Sequence, residues 1–302
     1  MKNIREKLKD WQYVIENKYN SIPYTLMEMI VLFVVLCFIV VGAAEAKPHK
    51  QRVHKPTRIA KTITNKELSY LVTDVTTNSI VRAQNIDQIR GLASITKLMT
   101  AMVSLDNNSD MNKLLPLSKL THSKAPVRQY TRRELFHLLL IKSDNAAAET
   151  LAADYEGGRS KFIRDMNIRA EMMGMYGTHF VDPSGLSVGN VSTASDVTTM
   201  VESAAHYPLI REISTKKDTV ILTQIKSKTQ HLFIHNTNHV ILNSVDGIQL
   251  SKTGFTNPAG FCVAILIQRE INEETHHRIV VVMGAKNPIQ RADTVKRIIN
   301  HV

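Results

Sequence analysis

Gly91-Leu92-Ala93-Ser94-Ile95-Thr96-Lys97-Leu98-Met99-Thr100-Ala101-Met102-Val103-Ser104-Leu105 reads as the opening of an amphipathic helix. Ile95, Leu98, Met99, Met102 and Leu105 fall at the spacing of one buried face. Ser94 stands in the first turn and Lys97 follows three residues later, so hydroxyl and amine are surface neighbours. A serine is a poor nucleophile until a base takes its proton. A lysine serves as that base where burial or nearby positive charge lowers its pKa from a reference of about 10.4. The same spacing recurs in Ser214-Thr215-Lys216-Lys217, where no apolar helix follows. The rest of the chain has to decide between a chance pair and a site.

The chain has 302 residues, 43% hydrophobic and 22% charged, with a formal net charge of +11. That is the composition of a globular protein with a real core. Residues 1–24 are polar and precede an apolar run, Ile30 to Ala44, that has no polar face. The run matches a signal-peptide core and is short of the roughly 20 residues that span a bilayer. Ala44-Glu45-Ala46 follows as a small-x-small cleavage pattern. Residues 1–46 are therefore expected to be a cleaved signal peptide, with a retained membrane anchor as the alternative. Either places the remainder outside the cytoplasm, in the periplasm or facing it.

Lys47, Lys50, Arg52, Lys55, Arg58, Lys61 and Lys66 occur with Pro48 and Pro56 and no acidic residue from 47 to 66. Residues 47–63 are read as a basic linker. The positive charge points to anionic lipid headgroups or acidic wall polymers, or simply to a solvated surface. Nucleic acid is discounted, because the remaining bases are scattered and no nucleic-acid motif appears. The two cysteines, Cys37 and Cys262, lie in the apolar run and in a strand-like stretch, so no internal disulfide is expected once residues 1–46 are removed. Cys262 reads as a packing residue. None of the twelve histidines shows metal-ligand spacing, so neither a metal nor another cofactor is expected.

The globular part, residues 64–302, opens with a hairpin, 68–75 and 79–83. The Ser94 helix follows, then an irregular stretch through Pro116 and Pro126. Thr131-Arg132-Arg133-Glu134 is a capping box that starts a helix with Leu135, Leu138 and Leu139 on one face. Further helices are predicted from 146, at 160–173, at 194–206 and at 288–300. Asp182-Pro183-Ser184-Gly185 is a turn by composition. Residues 218–225, 229–235, 246–253, 260–269 and 277–285 are β-rich. Strands at both ends with helices between predict one α/β sandwich, its antiparallel sheet built from the N- and C-terminal parts.

Two more short elements bear on chemistry. Ser143-Asp144-Asn145 sits at a helix–helix junction, where the plain reading is a helix cap. Lys252-Thr253-Gly254 lies in a strand and leads to Phe255, where the plain reading is a strand end. Ser-x-x-Lys, Ser-x-Asn and Lys-Thr-Gly thus occur in order, on helix, loop and strand. That is the motif set of the penicillin-recognising serine acyltransferases.

The chain resembles a low-molecular-mass penicillin-binding protein, a D-alanyl-D-alanine peptidase of the endopeptidase/carboxypeptidase type in the serine β-lactamase-like superfamily. The resemblance covers about residues 64–300. It includes Ala93 to Thr100, Thr131 to Leu135, Asp182 to Leu186, Val191 to Ala194, Asn236-Thr237-Asn238 and Leu250 to Phe255. It implies a five-stranded antiparallel sheet flanked by helices, with a helical subdomain. It also implies acyl transfer: Ser94 attacks the D-alanine carbonyl, Lys97 takes its proton, and Ser143 relays a proton to the leaving amine. Asn145 then holds substrate and Lys97, while Lys252 adds positive potential that binds substrate and favours the neutral form of Lys97. Thr253 and Gly254 complete the substrate strand, Thr253 binding a terminal carboxylate. The backbone N–H groups of Ser94 and Phe255 form the oxyanion hole, which leaves the Phe255 ring open as cleft wall or core.

The resemblance further implies peptidoglycan stem peptides as substrate and β-lactams as covalent inhibitors. A class A β-lactamase is disfavoured, since Asp182, Pro183 and Ser184 stand where a deacylating glutamate is needed. The chain stops soon after its last helix, like the shorter endopeptidases. That favours cleavage of D-alanyl cross-links over carboxypeptidase release of D-alanine. A non-catalytic wall- or penicillin-binding protein is the remaining alternative.

Overall fold

The last third of the sequence supplies three long strands that form most of one sheet. These are β9 (Ile248–Thr256), β10 (Gly260–Ile271) and β11 (Glu274–Ala285), joined by antiparallel pairing. The N-terminal hairpin, β1 (Ser69–Asp74) and β2 (Ser79–Gln84), adds to β11 and completes the order β2-β1-β11-β10-β9. The register sets Leu71 against Val281 and Val72 against Val280. This computed structural model describes residues 67–107, 110–123, 125–225 and 228–300. The apolar run 30–44 and the basic segment 47–66 lie outside them.

Strand β10 does not alternate apolar with polar because both of its faces are covered. Cys262, Ala264 and Leu266 face one core, with Leu71, Leu250 and Val281. Val263, Ile265 and Ile267 face another, with Val72, Val280 and Val282. The second core is closed by α8 (Pro288–Asn300) through Val295, Ile298 and Ile299. Each such buried side chain contributes about 1.5–3 kcal/mol.

The first core belongs to the helices. Beyond β3 (Arg90–Gly91), which pairs with β6 (Val191–Ser192), a 3-10 turn, Ala93–Thr96, runs into α1 (Lys97–Asn107), whose residues Lys97 to Ser104 are all buried. Around it pack α2 (Arg132–Leu140), α3 (Asn145–Ala153), α4 (Gly158–Met172) and α5 (Ala194–Ala205). The expected capping box is present: Glu134 N donates to Thr131 Oγ1 at 3.2 Å and Thr131 N to Glu134 Oε2 at 2.7 Å.

Three details depart from the sequence expectation. The stretch before α2 is not wholly irregular, since β4 (Leu114–Pro116) pairs with β5 (Gln129–Thr131). Two short helices are added, α6 (Pro208–Ser214) and α7 (His239–Ser244). The β-rich runs β7 (Asp218–Ile225) and β8 (Lys228–His235) pair only with each other, as a ribbon outside the main sheet. Strand propensity marks extended chain but does not name its partner.

One half-buried group ties stability to pH. Burial, with Lys216 and Arg133 nearby and Glu212 opposing, depresses the His137 imidazole on α2 from 6.5 to about 4. The folded protein therefore resists a proton that the unfolded chain accepts first. Stability is full above about pH 6.5 and declines as pH falls toward 4. Melting temperature followed from pH 7 to 4 is expected to fall in that window, and His137→Leu is expected to flatten the decline.

Candidate active site

Two positively twisted backbone positions frame the site. Ala93, just before Ser94, has φ 47°, and Ser143 has φ 58°. For residues with a Cβ this conformation costs about 1–2 kcal/mol each, so the surroundings must hold it. At Ala93 they do so through two glycines. A Cβ on Gly185 would lie 1.9 Å from the Ala93 carbonyl oxygen, and one on Gly254 would lie 2.9 Å from Ser94 N. Only bare backbone fits against this turn from either side.

The turn places Ser94 one helical step from Lys97, which opens α1 and is fully buried. Lys97 Nζ donates to Ser94 Oγ at 2.9 Å, to Asn145 Oδ1 at 2.7 Å and to the Ser184 carbonyl at 2.6 Å. An ammonium has three protons, and three oxygens meet them. Asn145 is delivered by the start of α3, where Asp144 Oδ1 caps the helix by accepting from Ala147 N at 3.0 Å. Within this tripeptide Asp144 is the helix cap, and Asn145 is the residue placed beside Lys97.

Ser143 joins a second pair. Lys252 Nζ on β9 donates to Ser143 Oγ at 2.9 Å and to the Thr253 carbonyl at 2.8 Å. Lys252 and Thr253 are buried, and the Thr253 hydroxyl lies 2.6 Å from that of Thr237. Ser94, Lys97, Ser143, Asn145, Lys252, Thr253 and Gly254 are thus assembled into one cluster from the 3-10 turn and α1, the α2–α3 junction and β9. The Phe255 ring, half exposed, stacks on Phe261 at 4.0 Å and is not part of the core.

Sequence reasoning missed two members. The Ser184 carbonyl, in the turn after α4, is a backbone group with no side-chain signature. Thr237 stood only in a quoted tripeptide. The second Ser-x-x-Lys pair resolves as structure: Ser214 Oγ is buried and accepts from Ser251 N at 3.2 Å, while Lys217, three residues on, is exposed. Cys262 is buried in β10 opposite Gly254, and burial pushes its thiol up to about 11. A groove of about 480 Å³ at the C-terminal end of α1 includes Val103, Asp106, Ile168, Arg169 and Met172 in its lining, and none of the cluster residues. Arg169 and Asp106 there are paired with each other. Among the described residues no group of three or more His, Cys, Asp or Glu is placed to hold a metal ion.

The family described as D-alanyl-D-alanine carboxypeptidase matches residues 51–287. A D-alanyl-D-alanine endopeptidase of Pseudomonas aeruginosa is 39% identical over 221 residues, 70% of each chain. One of Escherichia coli is 37% identical over 231 residues, 73% of this chain and 74% of that one. A Streptomyces DD-transpeptidase structure superposes with a TM-score of 0.70 at 25% identity, covering 77% of this chain and 95% of that one. A Listeria monocytogenes penicillin-binding protein with ampicillin bound gives 0.68 at 28% identity, with the same coverages. The fold is that of these penicillin-binding DD-peptidases, and the chain belongs to the D-alanyl-D-alanine carboxypeptidase family of serine peptidases.

Proposed function

We propose that the chain is a D-alanyl-D-alanine endopeptidase that cleaves peptidoglycan cross-links through an acyl-enzyme on Ser94. The three oxygens around Lys97 Nζ carry the acyl-transfer reading. Two of them, Asn145 Oδ1 and the Ser184 carbonyl, have no proton to give. The third is the Ser94 hydroxyl. In its amine form Lys97 has two N–H groups for the two carbonyls and one lone pair for that hydroxyl.

Ser94 Oγ then bonds to the D-alanine carbonyl carbon while its proton passes to Lys97. The backbone N–H groups of Ser94 and Phe255 receive the oxyanion, a role for which the tight seat of Gly254 on Ser94 is suited. Collapse breaks the bond to the leaving amine, which takes a proton through Ser143, itself held by Lys252. Thr253 with Lys252 receives the carboxylate of the leaving residue. Water then releases the acyl group from Ser94. The endopeptidase preference is supported by relatives of that name at 37–39% identity. The ampicillin and cefotaxime bound in structures of the Listeria relative support β-lactam binding by this chain, for which Ser94 is the nucleophile proposed.

The apolar run 30–44 and the cleavage pattern at Ala44-Glu45-Ala46 support export, and the run is read as signal or anchor. The basic segment 47–63 is read as a linker before the catalytic domain, 64–302. The net charge of +11 favours association with anionic lipid or acidic wall polymers.

Purified protein incubated with cross-linked muropeptide dimers and uncross-linked pentapeptides, followed by mass, is expected to consume the dimers. Release of D-alanine alone would make it a carboxypeptidase. Neither product, with no adduct on Ser94, would leave a non-catalytic binder. Ser94→Ala is expected to abolish the covalent penicillin adduct. Acylation by penicillin is expected to fall about 100–10,000-fold in Lys97→Ala and about 100-fold in Gly254→Ala, where a methyl group displaces the Ser94 backbone.

A further inference from the structure

The turn that carries Ser184 is built around one carboxylate. Asp182 is buried, and its Oδ1 accepts from Ser184 N at 2.7 Å, Ser184 Oγ at 2.9 Å and Gly185 N at 2.6 Å. Its Oδ2 accepts from Ser187 N at 2.7 Å. Burial alone raises the carboxyl pKa, but the bonds from Ser187, Ser184 and Gly185 outweigh it and hold the group below its ordinary value.

Peptide planarity turns this grip into an aim. In a trans peptide the carbonyl and the N–H point in opposite directions from one rigid plane. The Ser184–Gly185 plane gives its N–H to Asp182 and its carbonyl to Lys97 Nζ. The preceding Pro183–Ser184 plane gives its N–H to Asp182 and its carbonyl to Thr100 Oγ1 at 2.5 Å. Two consecutive planes are therefore pinned between one carboxylate and α1. The base of the turn is fixed by Asn190, whose Nδ2 donates to the Asp182 carbonyl at 2.9 Å and to Thr96 Oγ1 at 3.2 Å. Gly185, at φ 83°, closes against the Ala93 carbonyl, where a side chain has no room.

We infer that Asp182 is a positioning residue for acyl transfer: its carboxylate aims the Ser184 carbonyl at Lys97 and so keeps the lysine lone pair directed at Ser94. The inference rests on the reading of Lys97 as the proton acceptor of Ser94. Without the carboxylate the Ser184–Gly185 plane is free to rotate, and the amine loses one of the two acceptors that orient it. Asparagine can still present one oxygen to the three donors now on Oδ1 and gives up only the Ser187 contact. Alanine gives up all four.

Stopped-flow acylation with a fluorescent penicillin separates the acylation rate constant from the non-covalent dissociation constant. Asp182→Ala is expected to slow acylation about 100-fold with the dissociation constant within about twofold, and Asp182→Asn to slow it less than about fivefold. Asp182→Ser, which keeps one short acceptor, serves in place of alanine where melting shows that the alanine protein has not folded. It is expected to slow acylation at least about tenfold. A folded alanine or serine variant acylated within twofold of wild type overturns the inference, as does a loss carried wholly by the dissociation constant. Failure of the wild-type protein to acylate Ser94 would instead overturn the reading beneath it, so the two failures are distinct.

Discussion

A lysine amine buried at the start of a helix, with three neutral oxygens around it, is the constraint to which the rest of this structure answers. Burying an ammonium costs several kcal/mol unless its protons are met. The oxygens that meet them come from three separate places: Ser94 one turn back, Asn145 on a second helix and Ser184 in a distant turn. No local segment can supply that set. The helical half of the molecule must close around α1 before Lys97 is satisfied, and once closed it has oriented the nucleophile. Folding and assembly of the site are in this respect one event.

Strain is distributed in the same pattern. The two left-handed residues with side chains that matter here, Ala93 and Ser143, each adjoin or belong to a reacting group. Each is held by contacts from elsewhere in the chain, Ala93 by two glycines and Ser143 by Lys252. The other such positions, among them Asn78 and Asn272, follow β1 and β10 at their turns, where asparagine tolerates this conformation. The contrast separates turns that merely reverse the chain from turns that present a group.

What could be read from the sequence follows from this. The apolar stripe after Ser94, the capping box at Thr131–Glu134 and the division of the sheet between the two ends are local periodicities, and local periodicity survives translation into structure. The Ser94–Lys97 pair was visible because three residues on a helix is a fixed geometry. The third oxygen on Lys97 was not, because it is a backbone carbonyl whose direction depends on a carboxylate two residues earlier. Nor could the separation of β7 and β8 from the main sheet be seen, since their alternation describes a strand with one buried face whichever strand lies beside it. The left-handed turn at Ala93 has no glycine to announce it.

The placement of Lys252 and Gly254 shows how few residue types could occupy β9. Residues two apart on a strand share a face, and this face looks toward the Ser94 turn. At 254 the turn's backbone comes so close that a single Cβ would meet Ser94 N, so the position must be bare. At 252 the partner is Ser143, reached by a long side chain that ends in a cation. A long base and then nothing, on one face of the terminal strand in the sheet order, is what lets the strand touch the nucleophile's backbone and the α2–α3 junction together. Moving β9 inward by one strand would cover its free edge with another chain segment. Shifting its register by one residue would turn Lys252 and Gly254 to the opposite face. The Lys-Thr-Gly order is therefore tied to the topology as much as to the chemistry, because only an edge strand in this register serves both contacts.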